Sequence, residues 1–359
     1  MKLRKQNEFI NIFTRGSALS SLFAITIAII IILIVLLPMG ISPKKAFHYT
    51  IKGCFGSLYN ISEVLVKTTP LLLAGTGVAI AFRAGLFNIG IEGQILIGGL
   101  MAAYSGFQWN LPPIIHLITI LLIGGMCGGL WILVPAYLKV KKGINEVITT
   151  LLMYYISIYL THYLVVGPWK APGLTPATPY IKHNAIFPLI IPNTRLHGGI
   201  IFAITLVILI AWIFKKTRMG FEIKAVGLNP IAAEYAGIKV NKIIYLSLFL
   251  SGVLGGLTGA VEIAGIHHRF FDQFSSGMGF DGITVALVGK NNPIGIIFSA
   301  IFFALIRTTN LEMAVSAGVP KYLSFLMEGI IVILVAFENI YQEKISQIMR
   351  RHIGDMDTD

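Results

Sequence analysis

Long apolar runs alternate with short polar stretches along this chain, and the runs are too long and too evenly apolar for the faces of a soluble bundle. They cover about Ala18–Leu37, Val64–Phe82, Ile114–Leu138, Ile144–Val166, Gly198–Phe214, Ile243–Ile266 and Tyr322–Phe337. Most approach the roughly 20 residues that a helix needs to cross a bilayer. Two further stretches are apolar but interrupted. Residues 84–104 read AGLFNIGIEGQILIGGLMAAY, glycine-rich with Asn88, Glu92 and Gln94. That pattern predicts a broken or tightly packed helix near a polar path. Residues 275–306 are split at Gly289-Lys290-Asn291-Asn292-Pro293 into two short pieces, which predicts a discontinuous membrane segment. In 43–62, Phe47, Ile51, Phe55 and Leu58 recur at helical spacing, predicting an amphipathic helix in the outer interface. The fold class is therefore all-α: a polytopic membrane protein of about nine or ten transmembrane helices with broken or re-entrant segments.

The polar stretches orient these spans. Lys2, Arg4, Lys5 and Arg15 lie in the tail 1–17, and Lys139, Lys141 and Lys142 follow the Ile114–Leu138 run. The stretch 215–242 holds six basic residues, whereas 167–197 holds three and carries six prolines. Lys and Arg concentrate on the cytoplasmic side. The expected layout is a cytoplasmic tail 1–17, a transmembrane domain 18–340 and a cytoplasmic tail 341–359. Within the domain, 167–197 is an external loop and 215–242 a cytoplasmic one. The first apolar run is too long for a typical signal-peptide core and no small-x-small cleavage site follows it, so it reads as a retained helix with its N-terminus inside.

Composition narrows the function classes. Of 359 residues, 55% are hydrophobic and 12% charged, about half the charged share of soluble domains. The net charge of +12 is explained by loops and tails, so it does not suggest nucleic acid as a partner; membrane lipid surrounds the chain instead. Cys54 and Cys127 are too few and too far apart in sequence for a disulfide framework or a metal site. His267 and His268 are adjacent, and adjacent helical residues do not share a face, so no metal is expected. Gly124 with Gly128, Gly125 with Gly129, and Gly252, Gly255, Gly256 and Gly259 have the spacing of close helix contacts.

Catalytic patterns are missing. There is no G-x-x-x-x-G-K-[ST] phosphate loop, no H-E-x-x-H, no CxxC and no G-x-S-x-G elbow. The few charges inside apolar runs are Glu92, Glu146, Glu262, Asp281 and Glu328. Glu92 has a ready structural role, pairing with Arg83 to hold two helices together. Candidates for a solute path are Asn88, Glu92, Asn145 and Asp281. Tyr154, Tyr155, Tyr159, His162 and Tyr163 form an aromatic stripe that suits packing and interfacial anchoring, or a solute path. Phe280-Asp281-Gly282-Ile283 echoes Phe87-Asn88-Ile89-Gly90-Ile91, a weak sign of an internal repeat.

The polar stretch 215–242 contains its own helix signals. Asn229 can cap, Pro230 suits the first helical position and Gly237 can end the helix, giving about two turns over 231–236. Either an ordinary surface helix or a docking element fits that pattern.

Three stretches together make the chain similar to the membrane permease subunits of bacterial ATP-binding-cassette importers for simple sugars, nucleosides and branched-chain amino acids. They are TPLLLAGTGVAIAFRAGLFNIGIEGQILIGG at 69–99, AVGLNPIAAEYAGI at 225–238 and GMGFDGITVALVGKNNPIG at 277–295. A fourth, KGINEVITTLLMYYISIYLTHYLVVGPWK at 142–170, resembles the nucleoside permeases that work with basic-membrane-protein-type binding lipoproteins, although Tyr154-Tyr155 stands where those carry Asn-Tyr or Asn-Trp. The resemblance implies an importer permease for nucleosides in a bacterial cytoplasmic membrane. It implies no cofactor of the chain's own, ATP being bound by a partner subunit. By the same resemblance Gly227, Asn229, Ala232, Ala233, Glu234 and Gly237 form the coupling helix, small Ala232 and Ala233 allowing close approach to the ATPase and Glu234 pairing with one of its basic residues. The implied partners are a cytoplasmic ATP-binding subunit, a second permease chain, identical or paralogous, and an extracytoplasmic substrate-binding lipoprotein. The alternatives are a simple-sugar permease of the same family, an ion-coupled secondary transporter using Glu92 or Asp281, and a membrane scaffold that moves no solute.

Overall fold

The computed structural model describes residues 43–317 and isolated positions 326, 329, 330 and 333. The expected Ala18–Leu37 span and both tails lie outside the described residues, as does nearly all of Tyr322–Phe337. By its internal contacts the chain forms two units, one of residues 54–308 and one of 1–53 with 309–359. Among the described residues there is no strand; the elements are helices, with two isolated bridges, Ala177 to Phe271 and Leu189 to His197.

In chain order the helices are α1 Pro43–Phe55, α2 Leu58–Arg83, α3 Ile91–Gln108, α4 Pro113–Trp131, α5 Leu133–Lys142, α6 Glu146–Val166, α7 Gly199–Lys216, α8 Arg218–Leu228, α9 Pro230–Tyr235, α10 Val240–Glu262, α11 Met278–Val288 and α12 Pro293–Ala317. A π-helical turn, Ile263–His267, extends α10. Five stretches are long and apolar enough to cross a membrane: α2, α4 with α5, α6, α7, and α10 with its π turn. Local chemistry sets many of their ends. Ser57 caps α2 by accepting the Asn60 N–H at 3.1 Å, and Gly143, at φ +66°, ends α5 in the left-handed conformation that glycine favours.

Burial separates centre from periphery. The most apolar window of α2 is 89% buried and that of α6 only 22%, so α2 is a central element and α6 a peripheral one. Around α2 pack α10, α11 and α7, and α3 and α4 pack on α10. Glycine makes this second contact possible. A Cβ on Gly98 would lie 2.3 Å from the Gly256 Cα, and one on Gly256 would lie 2.2 Å from the Gly124 carbonyl oxygen. The helix-packing glycines expected from their spacing therefore meet one another, and backbones touch where lipid provides no hydrophobic force between helices.

The proline-rich stretch 167–197 is not a span. It folds back over the end of α10 through backbone bonds, Thr178 N–H to the Phe270 carbonyl and Ile181 N–H to the His268 carbonyl, each at 2.8 Å. His162 of α6 meets Asp272 at 2.9 Å, and Arg195 meets Glu63 of α2 at 3.4 Å. The stretch is thus a structured cover with its own buried residues, Thr178, Ile181, Ala185, Leu196 and His197 among them.

Candidate functional site

The discontinuous segment predicted at 275–306 is a half-helix followed by a turn and a long helix. Two neighbours fix the depth of the half-helix α11. A Cβ on Gly282 would lie 2.7 Å from the Ala74 Cβ, and beyond its other end Arg83 Nε donates to the Asn291 carbonyl at 2.7 Å. Thus α11 runs in the same direction as α2 and begins level with the middle of that 26-residue helix. A helix that starts there has unsatisfied N–H groups far from either surface.

Glu92 satisfies two of them. Its carboxylate accepts the Gly277 N–H at 3.0 Å and the Gly279 N–H at 2.5 Å, and the side chain is only 2% exposed. Glu92 therefore does not pair with Arg83, as the sequence alone suggests. The two residues flank the Ala84–Gly90 turn and hold opposite ends of α11, the carboxylate at the positive end of the helix dipole and the guanidinium at the negative end. Arg83 is also held beneath the Phe214 ring, 4.4 Å from its centroid.

The other residues expected along a path have internal partners. Asn88 and Gln94 form a reciprocal amide pair at 2.9 and 3.0 Å, and Asn88 also donates to Ser251 Oγ at 2.9 Å, tying the turn before α3 to α10. Asn145 caps α6, accepting the Val147 N–H at 2.9 Å, beside the ion pair of buried Glu146 with half-buried Lys139 at 2.7 Å. Asp281 is ion-paired with Arg307 of α12. Glu92 and Asp281 thus meet at α11, while Asn88 and Asn145 act at separate helix junctions. Among the described residues no group of three or more His, Cys, Asp or Glu side chains could hold a metal ion.

The polar stretch 215–242 contains two helices rather than the one its capping signals announce. Thr217 caps α8 through the Gly220 N–H at 3.3 Å, and Asn229 caps α9 through the Ala232 N–H at 3.0 Å. Gly237, at φ +81°, closes α9, with the Ile238 N–H returning to the Ala233 carbonyl at 3.0 Å. Leu228, Ile231 and Tyr235 project outward, 77%, 68% and 90% exposed. Asn229, Ala232, Glu234 and Gly237 are exposed beside them, whereas Ala233 is buried in a cluster with Ala81, Ile132, Ile238 and Leu248. Gly227 faces inward too. A Cβ there would lie 2.0 Å from the Arg83 carbonyl oxygen.

This contact joins the two parts of the site. The end of α8 rests on the Arg83–Gly85 backbone, Arg83 holds one end of α11, and Glu92, just beyond the same turn, holds the other. In the sequence Arg83 stands only as a partner for Glu92; its contacts with Asn291 and Gly227 emerge in the fold. Its only signal in the sequence is its position, a lone arginine at the end of an apolar run.

The buried half-helix α11 and the exposed side of α9 are thus joined through one turn, Arg83–Gly85. Residues 60–336 match the family described as branched-chain amino acid transport system, permease component, and the chain belongs to that family. It is a membrane permease subunit of the ATP-binding-cassette class. The chain is 36% identical to the guanosine ABC transporter permease protein NupP of Bacillus subtilis, over 89% of this chain and 94% of that one. It is 33% identical to the nucleoside ABC transporter permease protein NupB of Lactococcus lactis, over 89% and 91%. Identity with the glucose ABC transporter permease protein TsgB13 of Haloferax volcanii is 30%, over 86% and 84%.

Proposed function

We propose that this permease carries nucleosides inward across a bacterial cytoplasmic membrane, powered by an ATP-binding partner that docks on α9. The observation that carries the coupling is the exposed ridge of Leu228, Ile231 and Tyr235 on a short, doubly capped helix whose opposite side, Ala233, is anchored in the protein. Force applied to α9 reaches α8, then the Gly227 contact with Arg83, then both ends of α11. The half-helix therefore shifts as a unit with the turn that holds it. In this reading 215–242 faces the cytoplasm, 167–197 faces outward to receive a solute-binding lipoprotein, and a second permease chain completes the pathway. Nucleosides are favoured as the solute by the two relatives named for guanosine and nucleosides, each matched over nine-tenths of its length.

Uptake of labelled guanosine by cells with and without the gene tests the solute, with unlabelled ribose and glucose as competitors. Loss of guanosine uptake on deletion, insensitive to both sugars, supports the reading; sugar uptake lost in its place overturns the solute. Persistence of uptake after deletion of the ATP-binding partner, with collapse under an uncoupler, overturns the energy source.

A further inference from the structure

Tyr154 and Tyr155 lie near the midpoint of α6, a 21-residue helix, so each is at least about 12 Å from the nearer end. Tyrosines that anchor a membrane helix lie at its ends, where the hydroxyl reaches the headgroups. These two are in the wrong place for that role, although Tyr163 near the end of α6 fits it. Tyr155 is nevertheless 51% exposed and Tyr154 is half-buried. A tyrosine hydroxyl facing lipid hydrocarbon at that depth would lack a partner, which is costly.

The depth of the pair coincides with that of the half-helix. A Cβ on Gly93 would lie 2.9 Å from the Tyr154 Cα, so the α6 backbone touches α3 one residue from the Glu92 cap. Phe280, the residue after the capped Gly279, brings its ring to 5.4 Å from that of Tyr154 at an interplanar angle of 87°, and Tyr155 follows at 5.3 Å and 43°. Phe280 is itself 37% exposed. Three aromatic rings from two elements thus form an open corner at mid-depth, beside the start of α11.

Resting on the nucleoside reading above, we propose that Tyr154, Tyr155 and Phe280 form one wall of the translocation path and stack on the base of the passing nucleoside. Aromatic faces hold purines and pyrimidines alike, because every base has a π face. The platform would thus bind a nucleoside by its base and leave ribose alone unheld. Its attachment to Phe280 makes the contact sensitive to the position of α11, so that movement of the half-helix opens the corner and releases the base.

The test uses the complete transporter in proteoliposomes, with its ATP-binding and solute-binding partners, and labelled guanosine. Tyr154→Leu and, on the other element, Phe280→Leu should each raise KM by about tenfold, the order expected for one lost stack. Tyr154→Phe should restore the parent value, since the ring and not the hydroxyl makes the contact. Co-purification of the ATP-binding subunit confirms that each variant is assembled. Assembled leucine variants with unchanged guanosine KM, in a parent complex that does transport guanosine, overturn the platform and leave the nucleoside reading intact. A parent complex that transports glucose or ribose but no nucleoside overturns both. If one leucine variant fails to assemble, the other decides.

Discussion

Glu92 on α3 accepts the Gly279 N–H at 2.5 Å, across 187 positions of sequence, and so closes the N-terminus of α11 inside the protein. A neutral amide cannot replace it, since one of its two polar atoms is a donor and would meet another donor. Glu92→Gln should lose one charge-assisted hydrogen bond and the charge–dipole attraction, roughly 2 kcal/mol. A fall in the thermal unfolding midpoint of the detergent-solubilised complex, with weakened uptake, is the expected result. An unchanged midpoint would mean that the cap does not stabilise the half-helix.

Gly227 should be as sensitive for a steric reason. A methyl group there would meet the Arg83 carbonyl oxygen at 2.0 Å and the Ala84 carbonyl carbon at 3.0 Å, both backbone atoms that must move for it. Gly227→Ala should therefore push α8 away from the α2–α3 turn and uncouple it from Arg83. We expect ATP hydrolysis to persist while solute uptake per ATP falls severalfold. Equal losses in both would place the residue in assembly and not in transmission.

The positions of the main apolar spans were legible because a bilayer imposes one long signal on each segment, and the caps of α9 were legible because Asn229, Pro230 and Gly237 act on their immediate neighbours. The half-helix was visible as a break at Gly289–Pro293, but what holds it was not. Glu92 bonds to Gly277 and Gly279 and Arg83 to Asn291, pairs that only the folded chain brings together. From sequence the nearest opposite charge to Glu92 is Arg83, so proximity along the chain suggested the pair. In the structure the turn between them directs the two side chains to opposite ends of α11. Likewise, residue size alone does not separate Ala232 from Ala233; the turn geometry of α9 exposes the first and buries the second.

His197 gives the proline-rich cover a dependence on acidity. Its Nδ1 accepts the Gly199 N–H at 3.1 Å, and Gly265 packs so closely that a Cβ there would touch the ring at 2.2 Å. Burial, with the charges of His268 and Arg195 nearby, pushes the imidazole down to about 4. Because the unfolded segment takes up a proton near pH 6.5 and the folded one does not, stability is complete above that pH and declines as pH falls toward 4. Hydrogen exchange over 167–197 should accelerate across this window. His197→Asn retains an acceptor two residues before Gly199 but does not titrate, and should make the pH dependence shallower. An equally steep profile in the variant would assign it to other groups.

The two sides of α9 should respond to substitution in opposite ways. Tyr235, 90% exposed, and Ile231, 68% exposed, contribute little to the fold of this chain. If they are the ridge that enters the ATP-binding partner, Tyr235→Ala should weaken docking by tenfold or more, about the loss of one interface hot spot, and leave the unfolding midpoint of the isolated permease unchanged. Ala233, 4% exposed, belongs to a buried cluster with Ala81, Ile132 and Leu248. Ala233→Leu should lower the midpoint by overpacking, on the order of 1–3 kcal/mol, and impair docking only through that loss. Titration of the ATP-binding subunit onto the solubilised permease, run beside thermal unfolding, separates the two. Undiminished docking in Tyr235→Ala would remove the ridge from the interface. It would move the contact to the neighbouring exposed residues Ala232 and Glu234, where Glu234→Lys then becomes the deciding substitution.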